Sequence, residues 1–215
     1  MDKPLINILT RTSNRPNGFS VTYDSIHNQT YKNIKHIISY DNDTDLQYLN
    51  NYNNIELVKI DKFGLINSDN SPNPNTGKYS PHNLYFNEMV KHVDTGWVIY
   101  LDDDDKFTDS TAIEKIVNII NSNDEDTLIV WQFKLGDSLI LPNNISKEIP
   151  PVIGGIGGST ITFNIKYSGN AIWDSWKCSD FRIINSLYHK IPKIKFIKEV
   201  LVLAPIPGSG NRIDI

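Results

Sequence analysis

Four consecutive aspartates, Asp102 to Asp105, follow directly on the apolar run Trp97-Val98-Ile99-Tyr100-Leu101. A run of that composition reads as a buried strand, so the strand ends in a dense knot of negative charge. Two carboxylates about 4 Å apart repel by about 1 kcal/mol in water and about 4 kcal/mol at an effective dielectric of about 20, so a fold that gathers them usually brings a cation. Carboxylate oxygens are hard ligands suited to Mg²⁺ or Mn²⁺, which in turn favour a diphosphate substrate. The plainer alternative is a solvated acidic turn that caps the next helix; the strand in front of it favours the chemistry. Asp41 closes a second apolar run, Ile34 to Tyr40, and Asp180 opens a helical pattern that reaches Tyr188. Trp173 and Trp176 flank Asp174 just before it, and an indole there is either core or a platform for a sugar ring. Gly154-Gly155-Ile156-Gly157-Gly158 reads either as a flexible turn or as a place where backbone approaches a ligand closely.

The elements that must hold these residues alternate between strand and helix. Leu5 to Leu9 is a short strand; Phe19 to His27 has helical spacing in Phe19, Tyr23 and Ile26; Ile34 to Tyr40 and Ile55 to Ile60 are strands, with a short helix near Leu46 to Leu49. Residues 67–78 have the Asn, Ser, Pro and Gly content of a mobile surface loop. Pro81 to Val90 reads as a helix, Trp97 to Leu101 as the central strand, and Ala112 to Ile120 as an amphipathic helix with capping-box spacing in Thr111 and Glu114. Leu128 to Leu135, Lys147 to Val152, Thr160 to Phe163 and Ile194 to Leu203 suggest further strands, and Asp180 to Tyr188 a helix with Phe181, Ile184 and Leu187 inward. Such alternation implies an α/β fold whose mostly parallel central sheet binds ligands at the carboxyl ends of its strands. Asp41 and Asp102 both stand at such ends.

Composition removes several classes. The chain of 215 residues has a formal net charge of −4 and no Lys/Arg-rich stripe, which argues against nucleic acid as a partner. A phosphate ligand is then held by metal and a few local basic groups. The lone Cys178 leaves no internal disulfide or cysteine zinc cluster and fits a reducing, cytoplasmic setting. No run is long enough to span a membrane, and the length fits one domain. Gly77-Lys78 is followed by Tyr79 and lacks the upstream glycine of a phosphate-binding P-loop, and no G-x-G-x-x-G follows the first strand. Asp41-Asn-Asp43-Thr-Asp45 imitates the start of an EF-hand, but Leu46 and Tyr52 stand where that loop needs glycine and glutamate.

Two strand-terminal acidic sites and a later acidic helix start make the chain resemble the family-2 glycosyltransferases of the GT-A fold, clearly so from Leu5 to about Asp105. Ile8-Leu-Thr10-Arg11-Thr-Ser-Asn14-Arg15-Pro16 is similar to that family's first strand and loop, and Ser25-Ile-His-Asn28-Gln29-Thr30-Tyr31-Lys-Asn-Ile34 to its S-x-x-x-Q-T-Y-x-x-I passage. Ser80-Pro81-His82-Asn83 resembles S-x-A-R-N with His82 in the arginine position, and Leu101-Asp102-Asp103-Asp104-Asp105 resembles L-D-x-D-D. Asn42-Asp43 replaces the usual Asp-Gly after Asp41, and Ser179-Asp180 stands where the family has Glu-Asp.

The resemblance implies a single GT-A domain over 1–215, with 1–105 binding the nucleotide sugar and 106–215, built on a smaller acceptor-side sheet, binding the acceptor. It implies a metal-dependent, inverting glycosyltransferase that moves a sugar from a nucleoside-diphosphate donor, UDP-sugars favoured, to a hydroxyl of a glycan or glycoconjugate. Asp180 would be the catalytic base, with Asp174 its rival. Asp102 and Asp104 would hold Mn²⁺ or Mg²⁺. Thr10, Arg11, Arg15, Asp41, Lys78, His82, Asn83, Asp102, Asp103 and Arg212 would line the donor site, with Asp41 on the base and Arg11, Lys78, His82 and Arg212 available to phosphate. Two other classes compete: a sugar-1-phosphate nucleotidyltransferase, which would start with a Gly-rich, Arg-containing loop after strand one, and a non-catalytic sugar or nucleotide binder in which Asp180 is an ordinary helix cap.

Overall fold

The computed structural model describes residues 3–204. In chain order these form β1 (Ile6–Arg11), α1 (Pro16–His27), β2 (Ile34–Tyr40), the one-turn α2 (Leu46–Leu49), β3 (Ile55–Lys59), α3 (Lys62–Ser68), α4 (Tyr85–Val90), β4 (Trp97–Tyr100), β5 (Lys106–Phe107), α5 (Ala112–Asn121), β6 (Thr127–Leu135), β7 (Leu139–Leu141), β8 (Ile161–Asn164), α6 (Ser179–Lys190) and β9 (Lys193–Ala204). The strands make one mixed sheet in the order β3-β2-β1-β4-β8-β6-β9-β5, with β7 paired to β6 outside that path. β1 to β4 run parallel, β8 is antiparallel to both β4 and β6, and β6 and β9 are again parallel. The acceptor-side strands therefore continue the first sheet; among the described residues they do not form a separate smaller one.

Strand alternation explains the layering. Ile6, Ile8, Trp97, Ile99 and Leu101 share one apolar cluster with Ile26 of α1 and the buried face of α5, whereas Leu9, Val98 and Tyr100 share another with α4 and α6. Successive side chains of a strand point to opposite faces, so strands covered on both sides read as continuous apolar runs. Gly96 lets the chain enter β4 close to β1: at its φ of +95° a side chain is strained, and a Cβ would meet the Leu5 carbonyl oxygen at 2.4 Å. β1 lies between β2 and β4, so the chain leaves it first toward β2 and β3 and later returns on the other side. The ends of β1, β2 and β4 open together at this topological switch point, where open α/β sheets take ligands.

Several segments differ from the sequence reading. Residues 147–152 are not a strand. Pro150 and Pro151 offer no N–H to a ladder, and the edge position on β6 is taken instead by β7. The capping box of α5 is not made: the Thr111 hydroxyl donates to Asp109 at 2.6 Å and Glu114 accepts from Thr30 at 2.7 Å. On α6 the fully inward residues are Ile183, Ile184, Leu187 and Tyr188, with Phe181 only partly covered. The expected loop 67–78 opens with the end of α3, and the strap that follows is pinned across the molecule. Lys177 N–H donates to the Lys78 carbonyl at 2.8 Å, Ser80 N–H to the Ser175 carbonyl at 2.6 Å, and the Trp176 indole N–H to the Ser71 carbonyl at 3.3 Å.

Candidate active site

The aspartate run is a tight turn, closed by the Asp105 N–H donating to the Asp102 carbonyl at 3.0 Å. The turn deals its carboxylates into different surroundings: Asp102 is 37% exposed and Asp104 9% at the side chain, while Asp103 and Asp105 are buried. Arg11, the last residue of β1, grips Asp102 with its fork, Nε to Oδ1 at 2.8 Å and Nη2 to Oδ2 at 3.2 Å. Its Nη1 donates to Asn83 Oδ1 at 3.0 Å and to the His82 carbonyl at 3.2 Å, and the guanidinium lies over the Phe86 ring at 4.8 Å. Arg15, at the head of α1, donates to Asp103 and reaches Asp104 at 3.1 Å, and the Thr12 hydroxyl donates to Asp103 Oδ2 at 2.9 Å. Two arginines thus stand against the acidic turn. Bidentate guanidinium pairs fix orientation as well as charge.

The electrostatics follow burial. Burial pushes the Asp103 carboxyl up to about 6 against the pull of Arg15, and the Asp102 charge adds to the rise. Burial, then the Asp102 charge, holds Asp105 well above the usual carboxylate range. His82 is driven down to about 4 by burial first and then by Arg11. It is a neutral imidazole at pH 7 and not the fixed positive charge that a phosphate contact would use.

At the end of β2, Asp41 accepts from the Tyr85 hydroxyl and from Ser13 at 3.1 Å, with Lys62 Nζ 3.6 Å away. Burial and the Asp41 carboxylate keep the Tyr85 phenol protonated far beyond neutral pH. Beyond Asp41 a cavity of about 640 Å³ opens between the end of β3 and the first turn of α3.

Asp180 sits in the first turn of α6 and accepts the Phe181 N–H at 2.8 Å. Burial raises its pKa, the Phe181 N–H works the other way, Asp102 adds to the rise and Arg11 opposes it. Asp180 therefore lies within the field of the β1 and β4 ends. The helix starts from Cys178 in the left-handed region, at φ +64°, and a Cβ on Gly158 would come within 3.0 Å of the Trp173 ring and 3.8 Å of Asp180 Cβ. Asp174 is held quite differently: both its oxygens accept from Arg182 and one also takes the Trp176 N–H at 2.9 Å.

The structure brings together Arg11, Arg15, His82, Asn83 and Asp102 to Asp104, with Asp41 and Asp180 at the two flanks. Thr10 is not among them. Its side chain is fully buried and its hydroxyl pairs with His36 Nε2 at 3.0 Å, so Thr12 is the threonine that reaches the acidic turn. Lys78 is exposed on the strap, and Arg212 lies outside the described residues. Trp173 is core, 5% exposed and packed on Phe86 and Tyr100, whereas Trp176 meets Tyr79 edge-on at 5.2 Å. Thr12, Tyr85 and Arg182 are missed by the sequence reading. Thr12 has a signal, since Thr12-Ser-Asn14-Arg15-Pro16 is an uninterrupted T-x-N-R-P; the other two are brought in by helix packing and have none.

Among the described residues no group of three or more His, Cys, Asp or Glu side chains is disposed to hold a metal alone. The donor set fits Mg²⁺ or Mn²⁺ in another way. These ions commonly take one or two carboxylates together with substrate phosphates, and Asp102 and Asp104 offer hard oxygens on one turn, Asp102 the more open of the two.

An acidic turn gripped by two arginines at the carboxyl ends of parallel strands marks the ligand end of an α/β sheet, and solved structures specify which fold it is. The fold is that of the GT-A glycosyltransferases. A mannosyltransferase from Pyrobaculum calidifontis, solved with GDP-Man and Mn²⁺, matches 98% of this chain and 59% of its own at 12% identity and a TM-score of 0.65. S. aureus TarS matches 94% of this chain and 37% of its own at 13% identity and a TM-score of 0.73. Its 1–349 fragment with UDP-GlcNAc matches 96% and 60% at 12% identity and a TM-score of 0.71. This chain thus spans 60% or less of the lengths of these proteins. No family model and no curated protein sequence matches it.

Proposed function

We propose that the chain is a metal-dependent, inverting glycosyltransferase that moves a sugar from a nucleoside-diphosphate donor, a UDP-sugar by preference, to a hydroxyl of a glycan or glycoconjugate. The observation that carries the reading is the gathering of Arg11, Arg15, Asn83 and Asp102 to Asp104 at the carboxyl ends of β1 and β4; the Asp102 charge felt by the buried Asp180 carboxyl supports Asp180 as the proton acceptor. The binding of UDP, UDP-GlcNAc, and GDP-Man with Mn²⁺ by proteins of this fold supports the reading.

Asp104, with Asp102 beside it, would hold Mn²⁺ or Mg²⁺, which supplies positive charge to the leaving diphosphate. Arg11 and Arg15 keep the turn's carboxylates oriented until the donor arrives, and Asp41 fixes the nucleoside end. Asp180 takes the proton of the acceptor hydroxyl as the new glycosidic C–O bond forms and the bond to the diphosphate breaks on the opposite face of the sugar. Burial raises the proton affinity of the Asp180 carboxyl, which makes its ionised form a stronger base.

The test is an assay of nucleoside diphosphate release from a panel of UDP-, GDP- and dTDP-sugars, with Mn²⁺ and with EDTA. Metal-dependent release supports the transferase. Pyrophosphate formation from sugar 1-phosphate and nucleoside triphosphate would make it a nucleotidyltransferase, and binding without either product a non-catalytic module.

A further inference from the structure

α3 is an unusual element to find beside a ligand site. It has no fully buried residue, and Phe63 in its first turn is 75% exposed. An aromatic ring left that open on a short helix forgoes the burial that normally justifies it. The ring is not stranded on a featureless surface. It lines the cavity of about 640 Å³ together with Asp41, Lys59, Asp61, Lys62 and Ile66. The helix is anchored there at two points: Asp61 accepts the Gly64 N–H at 3.0 Å, and Lys62 lies 3.6 Å from Asp41.

Resting on the transferase reading above, we infer that Phe63 stacks on the nucleobase of the donor, so that α3 forms the outer wall of the base site. Strand order supports the base rather than the sugar or the phosphates. Neighbouring strands are about 4.8 Å apart, so the ends of β2 and β3 lie roughly 10 to 15 Å from the end of β4, on the side away from β8. A nucleotide whose phosphates meet the acidic turn extends its base in that direction. The cavity suits a flat heteroaromatic ring. Phe63 and Ile66 supply apolar faces, Asp41 accepts along the ring's edge, and Lys59 and Lys62 can donate there. Asp41 and Asp61 balance Lys59 and Lys62 in the lining, so it offers a diphosphate no excess of positive charge.

Isothermal titration of the full chain with UDP, GDP, dTDP and inorganic pyrophosphate in Mn²⁺ tests this. Because Phe63 is exposed, Phe63→Ala leaves the melting temperature near that of the wild type. Loss of a stacked base is expected to weaken the preferred nucleoside diphosphate roughly 5- to 150-fold. Pyrophosphate affinity stays as in the wild type, and Phe63→Trp retains nucleotide binding. Wild-type nucleotide affinity in Phe63→Ala overturns the stacking role alone, as does an equal loss for pyrophosphate. A wild-type chain that binds none of the three nucleotides overturns the transferase reading, and the base site with it.

Discussion

Asp174 and Asp180 are two carboxylates on either side of the start of α6, and their partners assign them different work. Asp174 spends both oxygens on Arg182, which ties the Trp176 segment to the helix. Asp180 accepts one backbone N–H and otherwise sits among buried surface and the Asp102 charge. Asp180→Asn is therefore expected to lower transfer by about 10²- to 10⁴-fold with donor affinity within a few-fold of the wild type, as measured by steady-state turnover and titration. Asp174→Asn is expected to act on the fold, costing about 1 to 3 kcal/mol in thermal or urea unfolding while turnover per folded molecule changes little. The reverse pattern would make Asp174 the base. At the acidic turn, Asp104→Ala is expected to bring nucleoside diphosphate affinity in Mn²⁺ down to the level the wild type shows in EDTA. Unchanged Mn²⁺-dependent affinity would remove Asp104 from the metal site.

Among the elements, α6 depends on a single backbone anomaly. Cys178 holds a left-handed conformation that costs a non-glycine residue about 1 to 2 kcal/mol, at the entry to the helix two residues before Asp180. Cys178→Gly relieves that strain but adds about 0.4 to 1 kcal/mol of unfolded-chain entropy, so its stability is expected to stay within about 1 kcal/mol of the wild type. Cys178→Val, β-branched at the same φ, is expected to lose about 1 to 3 kcal/mol in urea unfolding. Equal stability of the two variants would show that the backbone there relaxes freely. The strand ends were legible in the sequence because buried parallel strands write themselves as apolar runs, and a carboxylate after such a run is conspicuous. The division of labour inside Asp102 to Asp105 was not, since the turn that buries Asp103 and Asp105 and leaves Asp102 half open is closed by a backbone bond that residue types do not announce. Thr10 and Thr12 are hard to tell apart in the sequence for a related reason. Both are strand-end threonines, and only the presence of His36 behind β1 shows which one is turned inward. Pro150 and Pro151 are the sequence signal against a strand at 147–152.

Across the whole molecule, acid should be felt first through His36. Its ring is buried between Thr10 and His27 and pushed down to about 3 by burial, with His27 adding to the fall, against a value of 6.5 in the unfolded chain. The unfolded chain therefore takes up a proton between those values while the folded one does not. The contribution is fully present above pH 6.5 and is lost as pH falls toward 3, an effect on the order of a few kcal/mol. His36→Gln is expected to show a shallower fall in stability over this window than the wild type, measured by urea unfolding at stepped pH. The raised carboxyls Asp103 and Asp105 act in the opposite direction, but they are common to both proteins and cancel in the comparison. Parallel curves would mean that another group governs acid unfolding. The seating of β8 between β4 and β6 has a consequence for how this chain can be handled. Residues 1–105 contain both acidic strand ends, yet taken alone they would leave β4, four buried residues long, as a naked apolar margin with its backbone donors and acceptors unmatched. Such a margin recruits a copy of itself. The half that carries Asp41 and the acidic turn is therefore expected to come out of solution as aggregate when it is separated from the half that carries Asp180.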